Sequence, residues 1–210
     1  MVESQVRTTD VTDAALLSAM YEIPREEFVP AERRALAYID EDLEIAAGRP
    51  GRFLLRASPF AKLIQLAEIR AGDLVLDVGC GTGYSTAVLA HVAGFVVALE
   101  NDAALVASAG QNLAALGCEN VSVVEGALPA GHAAQAPYDV IVVEGAIDDV
   151  SPALFAQLKD GGRLVAVIGE GHAGRATLWR KEGEQISSLS AFNAAVRPLV
   201  EFRREPVFEF

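Results

Sequence analysis

A glycine-rich turn after a buried strand is the first feature of this sequence that could do chemistry. The apolar run Leu74–Val78 is followed by Gly79, Gly81 and Gly83. Glycine is needed at such a turn because the backbone bends sharply and because a Cβ would collide with an approaching ligand. The pattern predicts a strand, a ligand-binding turn and then a helix.

Acidic residues stand at the ends of two other apolar runs. Glu100, with Asn101 beside it, follows the run that begins at Phe95, and Glu144 follows the run that begins at Val140. A carboxylate after the second strand can accept hydrogen bonds from both hydroxyls of a ribose. The alternative for each glutamate is a solvated loop carboxylate. Turn, acid and strands together predict a nucleoside-type cofactor.

The spacing of the glycines separates two kinds of cofactor. Dinucleotide folds use GxGxxG, in which a helix N-terminus faces a pyrophosphate. Here the third glycine, Gly83, comes one residue early, and Asp77 stands two residues before the turn. A cofactor without phosphate and with a cationic sulfonium suits nearby acidic groups. The turn therefore favours S-adenosyl-L-methionine over a nicotinamide.

Short apolar runs alternate with helical stretches from residue 71 onwards, which is typical of βαβ units. Lys159–Gly162 is predicted as the turn into the fifth strand. The fold class is therefore α/β, with a doubly wound, mostly parallel sheet. The predicted strands are Leu74–Val78, Phe95–Leu99, Val121–Val124, Val140–Val143 and Arg163–Ile168, and the predicted helices are Ser85–Ala93, Ala103–Leu116 and Pro152–Gln157.

Further elements flank this core and divide one domain into three parts. These are an N-terminal helical segment with a loop (1–70), the α/β core (71–170) and C-terminal antiparallel strands (171–210). In the N-terminal part we predict helices over Thr12–Glu22, capped by Thr12 or Asp13, over Glu32–Tyr38, and from Ser58-Pro59 with Ser58 as N-cap. In the C-terminal part we predict a hairpin of Ala176–Lys181 and Gln185–Leu189, then a last strand near Leu199–Phe208.

Composition excludes several classes of partner. The formal net charge of −12 makes a phosphate backbone an unfavourable partner, so we expect no nucleic acid. Only Cys80 and Cys118 occur, which suits a reducing compartment, and the three histidines lack ligand spacing, so no metal is expected. No apolar run is long enough to span a bilayer, and we expect a cytoplasmic protein. The oligomeric state stays open.

The motif Asp77-Val-Gly-Cys-Gly-Thr-Gly83 resembles the first motif of class I methyltransferases, which have a seven-stranded Rossmann-like sheet. The wider sequence resembles the protein-L-isoaspartate O-methyltransferases over about residues 1 to 170. That likeness is carried by Ile23-Pro-Arg-Glu-Glu-Phe-Val-Pro30, Ala37-Tyr-Ile-Asp40, Leu43-Glu-Ile45, Leu116-Gly-Cys-Glu-Asn-Val121, Ala136-Pro-Tyr-Asp-Val-Ile141 and Gln157-Leu-Lys-Asp-Gly-Gly-Arg-Leu-Val165.

The resemblance implies a function and a set of cofactor contacts. It implies transfer of a methyl group from S-adenosyl-L-methionine to a carboxylate of a damaged protein or peptide. Gly126 lies where the family has Gly-Asp-Gly beside the adenine, but this chain has Gly126-Ala127, so a backbone N–H would have to make that contact. The implied or inferred cofactor residues are Asp77, Gly79, Cys80, Gly81, Gly83, Glu100, Asn101, Gly126, Ala127 and Glu144.

The substrate loop departs from the family. The family has Gly-Gln-Thr-Ile-Ser-Gln-Pro, whose Thr and Ser face the reacting carboxylate, whereas this chain runs from Gly48 to Pro59 without Thr-x-Ser. Ser58 is the one candidate catalytic side chain there, although a helix N-cap is its simpler role. Arg49, Arg52 and Arg56 either hold an anionic substrate by bidentate contacts or are solvated.

Three other hypotheses remain beside an isoaspartate-type methyltransferase. The first is a methyltransferase with a different acceptor, since a changed loop alters the acceptor side and leaves the sulfonium side intact. The second is a cofactor-binding regulatory protein that does not catalyse. The third, a nicotinamide oxidoreductase, is disfavoured by the glycine spacing.

Overall fold

A computed structural model describes residues 1–46, 51–169 and 171–204, with the backbone alone for His172. The helices of these residues are α1 Ala14–Glu22, α2 Ala57–Leu66, α3 Tyr84–Val92, α4 Ala103–Ala115 and α5 Pro152–Ala156. Their strands are β1 Leu43–Ala46, β2 Arg52–Leu54, β3 Leu74–Val78, β4 Phe95–Glu100, β5 Val121–Glu125, β6 Tyr138–Ile147, β7 Leu158–Ile168, β8 Arg175–Glu182 and β9 Gln185–Asn193.

Strands β3 to β9 form one seven-stranded sheet in the order β5-β4-β3-β6-β7-β8-β9. Strands β3 to β7 are parallel, and β8 and β9 are antiparallel to their neighbours. The five predicted core strands and the predicted hairpin are confirmed, and the last two strands follow chain order. Gly183, with φ +59°, makes the turn between β8 and β9.

The central strands are apolar along their length because both faces of the sheet are covered. Successive residues alternate between the two layers of the core. Val75 packs in the layer that contains α1 to α4, whereas Leu76 and Val78 pack in the layer that contains α5. The same alternation in β4 places Val96 with the first layer and Val97 with the second. Burial on both sides holds the carboxyl ends of β3, β4 and β6 in fixed register.

The predicted cap Asp13 is confirmed, and two further helices of the described residues also begin with a side-chain cap. Asp13 accepts from the Leu16 N–H at α1, Asp102 from the Ala104 and Leu105 N–H groups at α4, and Ser151 from the Ala153 N–H at α5. The prediction of Ser58 as the cap of α2 is wrong. The N-cap is Arg56, whose backbone N–H donates to Asp42, and Ser58 lies inside the first turn.

Three other predictions are corrected by the structure. The helix predicted over Glu32–Tyr38 is a 3-10 helix over Ala31–Leu36. The turn predicted at Lys159–Gly162 belongs to β7, where the pairing with β6 is irregular and Gly161 adopts φ +74°. The segment predicted as a last strand contains a 3-10 helix, Val200–Phe202, because Leu199 and Phe202 turn inward to pack on the core, and residues 205–208 lie outside the described range.

The antiparallel pair β1–β2 was not predicted. Arg52, assigned to a loop from the sequence, begins β2. Gly48 and Arg49 of that predicted loop lie outside the described residues.

In residues 1–46, 51–169 and 171–204 no helix has the length and apolarity to cross a membrane. The same residues bring together no group of three His, Cys, Asp or Glu that could bind a metal ion.

Candidate active site

The glycine turn lies at the carboxyl end of β3, between the ends of β4 and β6. The chain leaves β3 toward β4 and β5 and later returns to place β6 on the other side, which is the topological switch point where open α/β sheets bind ligands. Gly79, Gly81 and Gly83 all have positive φ, at +83°, +57° and +96°. The Gly79 N–H donates to the Leu99 carbonyl at 2.8 Å, which fixes the turn against β4.

Glu100 ends β4 and is fully buried. Its Oε2 accepts from the Gly81 N–H at 3.0 Å, and its Oε1 accepts from the Asn101 N–H at 2.8 Å and from the Arg52 guanidinium. The carboxylate therefore points into the turn, as a ribose-binding residue must. Asn101 itself accepts from Arg52 through Oδ1 and donates to Glu201.

Asp77 has a different position from the one expected of a cofactor contact. Its Oδ2 accepts from the hydroxyls of Ser85 and Thr86, each at 2.7 Å, so the side chain turns toward the first turn of α3. Burial raises the pKa of Asp77 to about 6. The two hydroxyl hydrogen bonds lower this pKa, and the negative charge of Glu100 raises it further. In this geometry Asp77 anchors the helix that follows the glycine turn.

Glu144 lies on β6 just beyond the end of β3. Its side chain faces the glycine turn and lines the cavity there together with Gly79 and Gly81. Its Oε1 is buried and has no hydrogen-bond partner in the described part of the chain. Burial, with the charge of Asp77 adding to it, raises the pKa of Glu144 well above its usual value. A buried carboxyl without a partner is stabilised by a cation or a donor brought in by a ligand.

The remaining predicted cofactor residues differ in whether they line the cavity or pack elsewhere. Cys80 lines the cavity beside Gly79 and is nearly fully buried, and burial raises the pKa of its thiol well above the usual value. Gly83 instead permits close packing of α3 on α4, since a Cβ there would lie 3.3 Å from Ala109 and Leu113. The Gly126 N–H donates to the Glu100 carbonyl at 2.9 Å, which leaves Ala127 as the candidate for a backbone contact to adenine.

Ser58 does not line the cavity at the glycine turn. Its hydroxyl donates to Thr9 at 3.1 Å in a separate cleft that also contains Arg56 and Lys62. Arg56 donates to the Ala195 carbonyl at 3.2 Å. Of the three arginines considered for an anionic substrate, only Arg52 reaches the glycine turn in the described residues.

Side chains from distant segments cover the turn, and the sequence patterns did not reveal them. Ile45 of β1 packs directly on Gly81, since its Cδ1 lies 2.6 Å from the position of a Cβ there. Leu199 lies 3.1 Å from the corresponding position at Gly79, and the Arg197 guanidinium stacks on Phe53 at 4.8 Å. The cavity beneath them measures about 10 Å³, roughly the space of one water molecule.

The chemistry of these residues fits a nucleoside with a cationic centre. Glu100 offers carboxylate oxygens at the position for a ribose, and the unpartnered Oε1 of Glu144 lies by the turn where a positive charge would stabilise it. The glycines leave no side chain of their own in the space between the two acids. The strand order, the glycine turn after β3 and the acid that ends β4 define the class I methyltransferase fold, whose cofactor is S-adenosyl-L-methionine.

A family model described as protein-L-isoaspartate(D-aspartate) O-methyltransferase matches residues 1–201. The chain belongs to this family, and the predicted family, fold class and cofactor are confirmed. A protein-L-isoaspartate O-methyltransferase of Koribacter versatilis is 38% identical over 200 residues, which cover 95% of this chain and 89% of that protein. One from Methylorubrum populi is 43% identical over 169 residues, covering 80% of this chain and 78% of that one.

Solved structures show the same fold. A protein-L-isoaspartate O-methyltransferase structure superimposes with a TM-score of 0.82 at 29% identity and covers 92% of this chain. This chain spans 63% of the length of that structure. A Plasmodium falciparum structure described as a beta-aspartate methyltransferase in complex with S-adenosyl-L-homocysteine gives a TM-score of 0.74 at 19% identity, covering 92% of this chain and 93% of that one.

Proposed function

We propose that this protein transfers a methyl group from S-adenosyl-L-methionine to the side-chain carboxylate of isoaspartyl residues in damaged proteins. The observation that carries the proposal is Glu100, which is fully buried and directed at the glycine turn from the end of β4. The family match over residues 1–201, which includes both features, supports the same reaction.

The geometry supports a set of proposed cofactor contacts. Glu100 would accept hydrogen bonds from the ribose, Gly79, Cys80 and Gly81 would lie along the methionine part, and Ala127 would meet the adenine through its N–H. Glu144 would face the positive charge. Asn101 assists Glu100 by donating its backbone N–H to the carboxylate, and Asp77 acts indirectly by fixing α3.

The reaction needs alignment more than acid–base chemistry. When bound, S-adenosyl-L-methionine supplies a methyl group on a positively charged sulfur. An acceptor carboxylate has a pKa near 4 and is already ionised at neutral pH, so no residue of the chain has to remove a proton. The residues of the chain would act by holding the reactants in line and excluding water, which can lower a barrier by roughly 7–11 kcal/mol. Ile45 and Phe53 are placed to exclude water from the glycine turn.

A methyltransferase with a different acceptor is the second candidate. The family's Thr-x-Ser is missing between Gly48 and Pro59, and Ser58 lies in another cleft. The acceptor side of the site therefore differs from the family pattern, while the glycine turn and Glu100 on the cofactor side retain it.

Incubation with radiolabelled S-adenosyl-L-methionine and a pair of peptides tests the proposal. The peptides have one sequence and differ only in carrying isoaspartate or aspartate. We expect a base-labile methyl ester on the isoaspartyl peptide and at most a trace on its aspartyl twin. Binding of S-adenosyl-L-homocysteine without an ester on either peptide would favour the second candidate, and a screen of other acceptors would follow.

The partners and compartment are inferred from charge and thiols. We propose a protein or peptide substrate and no nucleic acid, since the net charge of −12 disfavours a polyanion. Both cysteines are free thiols, which suits the cytoplasm.

A further inference from the structure

Arg52 connects the β1–β2 pair to the floor of the cofactor site. Its Nη2 donates to Glu100 and, at 2.8 Å, to Asn101 Oδ1, while its Nη1 lies 3.8 Å from Glu201. The residue is 8% exposed, and Glu100 is fully buried. An arginine that contacts three oxygen-bearing side chains inside the fold differs from a surface ion pair, in which both partners stay in water.

The same carboxylate oxygen cannot serve Arg52 and a ribose together. Glu100 Oε1 already accepts from the Asn101 N–H at 2.8 Å and the Asp102 N–H at 3.3 Å as well as from Arg52. One carboxylate oxygen has about two lone-pair sites. The two backbone N–H groups are fixed by the chain, whereas the guanidinium is on a side chain that can move away, so a ribose hydroxyl would take the place of Arg52 on this oxygen.

The space above the turn gives a second, steric argument. The pair β1 and β2, called the cover from here on, places Ile45 on Gly81 and Phe53 beside it. The cavity of about 10 Å³ is far smaller than the roughly 300 Å³ or more of a typical cofactor site. The cover has to move outward before a nucleoside can enter, and the buried contact that ties it to the floor is Arg52 with Glu100.

We propose that Arg52 is a latch that holds the cover closed over the glycine turn, and that the cofactor enters by replacing the guanidinium with its ribose hydroxyls on Glu100. This inference rests on the proposed function for its ligand. Because binding requires the open arrangement, the apparent affinity is the intrinsic affinity multiplied by the open fraction. Removing the latch raises that fraction and therefore strengthens binding.

Calorimetry with S-adenosyl-L-homocysteine tests the latch. We expect Arg52→Ala and the larger Arg52→Gln to bind about fivefold more tightly or better, within the usual range for such couplings. The matched control is Arg33→Ala, because Arg33 also pairs with the cover, through Glu44 at 2.7 Å, but half-exposed and away from the turn. It should bind like the wild type. Unchanged or weaker binding by both Arg52 variants overturns the latch.

Glu100→Gln tests whether the carboxylate is shared. This variant also frees Arg52, yet it should bind S-adenosyl-L-homocysteine about tenfold more weakly or worse, because hydrogen bonds to a charged acceptor are lost. If Glu100→Gln bound with the affinity of the wild type, Glu100 would not contact the ribose, and the proposed replacement of Arg52 by ribose hydroxyls would be overturned.

Thiol labelling provides a readout that needs no ligand. Cys80 is 5% exposed beneath the cover, and Cys118, which is half-buried elsewhere, is replaced in a Cys118→Ser background. Mass spectrometry should show faster modification of Cys80 in Arg52→Ala than in the background or with Arg33→Ala, and protection by S-adenosyl-L-homocysteine. Equal rates in all three proteins would contradict a latch.

Failure of the latch is distinguishable from failure of the proposed function. If the Arg52 variants bind more tightly but no ester forms on the isoaspartyl peptide, the proposed acceptor is contradicted and the latch is supported. Ester formation with equal affinities in the wild type and the Arg52 variants removes the latch alone.

Discussion

Three acidic residues near the glycine turn have the same charge but different environments. Glu100 is surrounded by donors, and Asp77 accepts from two hydroxyls of α3 through Oδ2 while its Oδ1 has no partner in the described residues. Glu144 Oε1 also lacks a partner there, but it faces the cavity at the glycine turn. The groups around each carboxyl therefore indicate its role. Glu100 is suited to accept from a ribose, Asp77 anchors a helix, and Glu144 faces the space for a charged ligand.

Asp77 predicts a pH dependence of stability. Its pKa is about 6 in the folded protein and near 3.8 when unfolded, so the native state binds the additional proton between these values. Its contribution is full below pH 3.8 and is lost as the pH rises through 6. Asp77→Asn lacks this titration. From pH 4 to pH 7 the unfolding free energy of Asp77→Asn should rise relative to that of the wild type, measured by urea unfolding.

Asp139 is the matched control for this titration. Although burial opposes it, the hydrogen bond from Lys159 lowers the pKa of Asp139 below its usual value. Asp139→Asn should therefore change in the opposite direction, losing stability relative to wild type as the pH rises from acid. A difference between Asp77→Asn and wild type that stays constant over pH would show that Asp77 does not titrate in this range.

At the scale of elements, a buried ion pair joins β7 to the start of β3. Arg163 on β7 donates to Asp73, just before β3, and to the Glu68 carbonyl at 2.8 Å. Both side chains are almost fully buried. The pair fixes β7 against β3 near the amino ends of the strands, whereas the glycine turn lies at their carboxyl ends.

Loss of one partner from this pair should be costly. Arg163→Ala leaves Asp73 buried without its counter-charge, and we expect a loss of about 3–5 kcal/mol in the free energy of unfolding, by urea titration. The control is Arg34→Ala, whose pair with Glu27 is about half exposed and should be worth less than about 1 kcal/mol. A similar small loss in both variants would show that water reaches Asp73.

At the scale of the whole molecule, the site is closed by segments far apart in the chain. The cover comes from the N-terminal part, and residues 197–202 come from the C-terminal part. The Leu199 N–H donates to the Ala146 carbonyl, and the Leu199 side chain packs on Gly145. Both segments meet over β3. A ligand that enters there contacts the sheet and both covering segments, so its binding should stabilise the entire fold.

Thermal unfolding with two ligands measures that stabilisation. At a hundredfold excess over the dissociation constant, S-adenosyl-L-homocysteine should add about 2.7 kcal/mol, which for a chain of this length raises Tm by about 5 to 10 °C. NADH at the same concentration should leave Tm unchanged, because the turn lacks the GxGxxG spacing. A rise with NADH alone would revive the nicotinamide hypothesis.

Local patterns determined much of this protein from the sequence alone. The seven sheet strands, the cap Asp13, the glycine turn and Glu100 depend on residues close together in the chain, whose periodicity and turn chemistry act locally. The fold class and the cofactor followed from these segments, and the family followed from the resemblance of motifs between Ile23 and Val165.

The tertiary structure alone decided which side chains meet. Arg52 lies 48 residues from Glu100, and Leu199 lies 120 residues from Gly79. Such contacts depend on the path of the whole chain, which no short window encodes. The same reason explains the failure at Ser58 and Leu199, where packing from distant segments overrode the local signal.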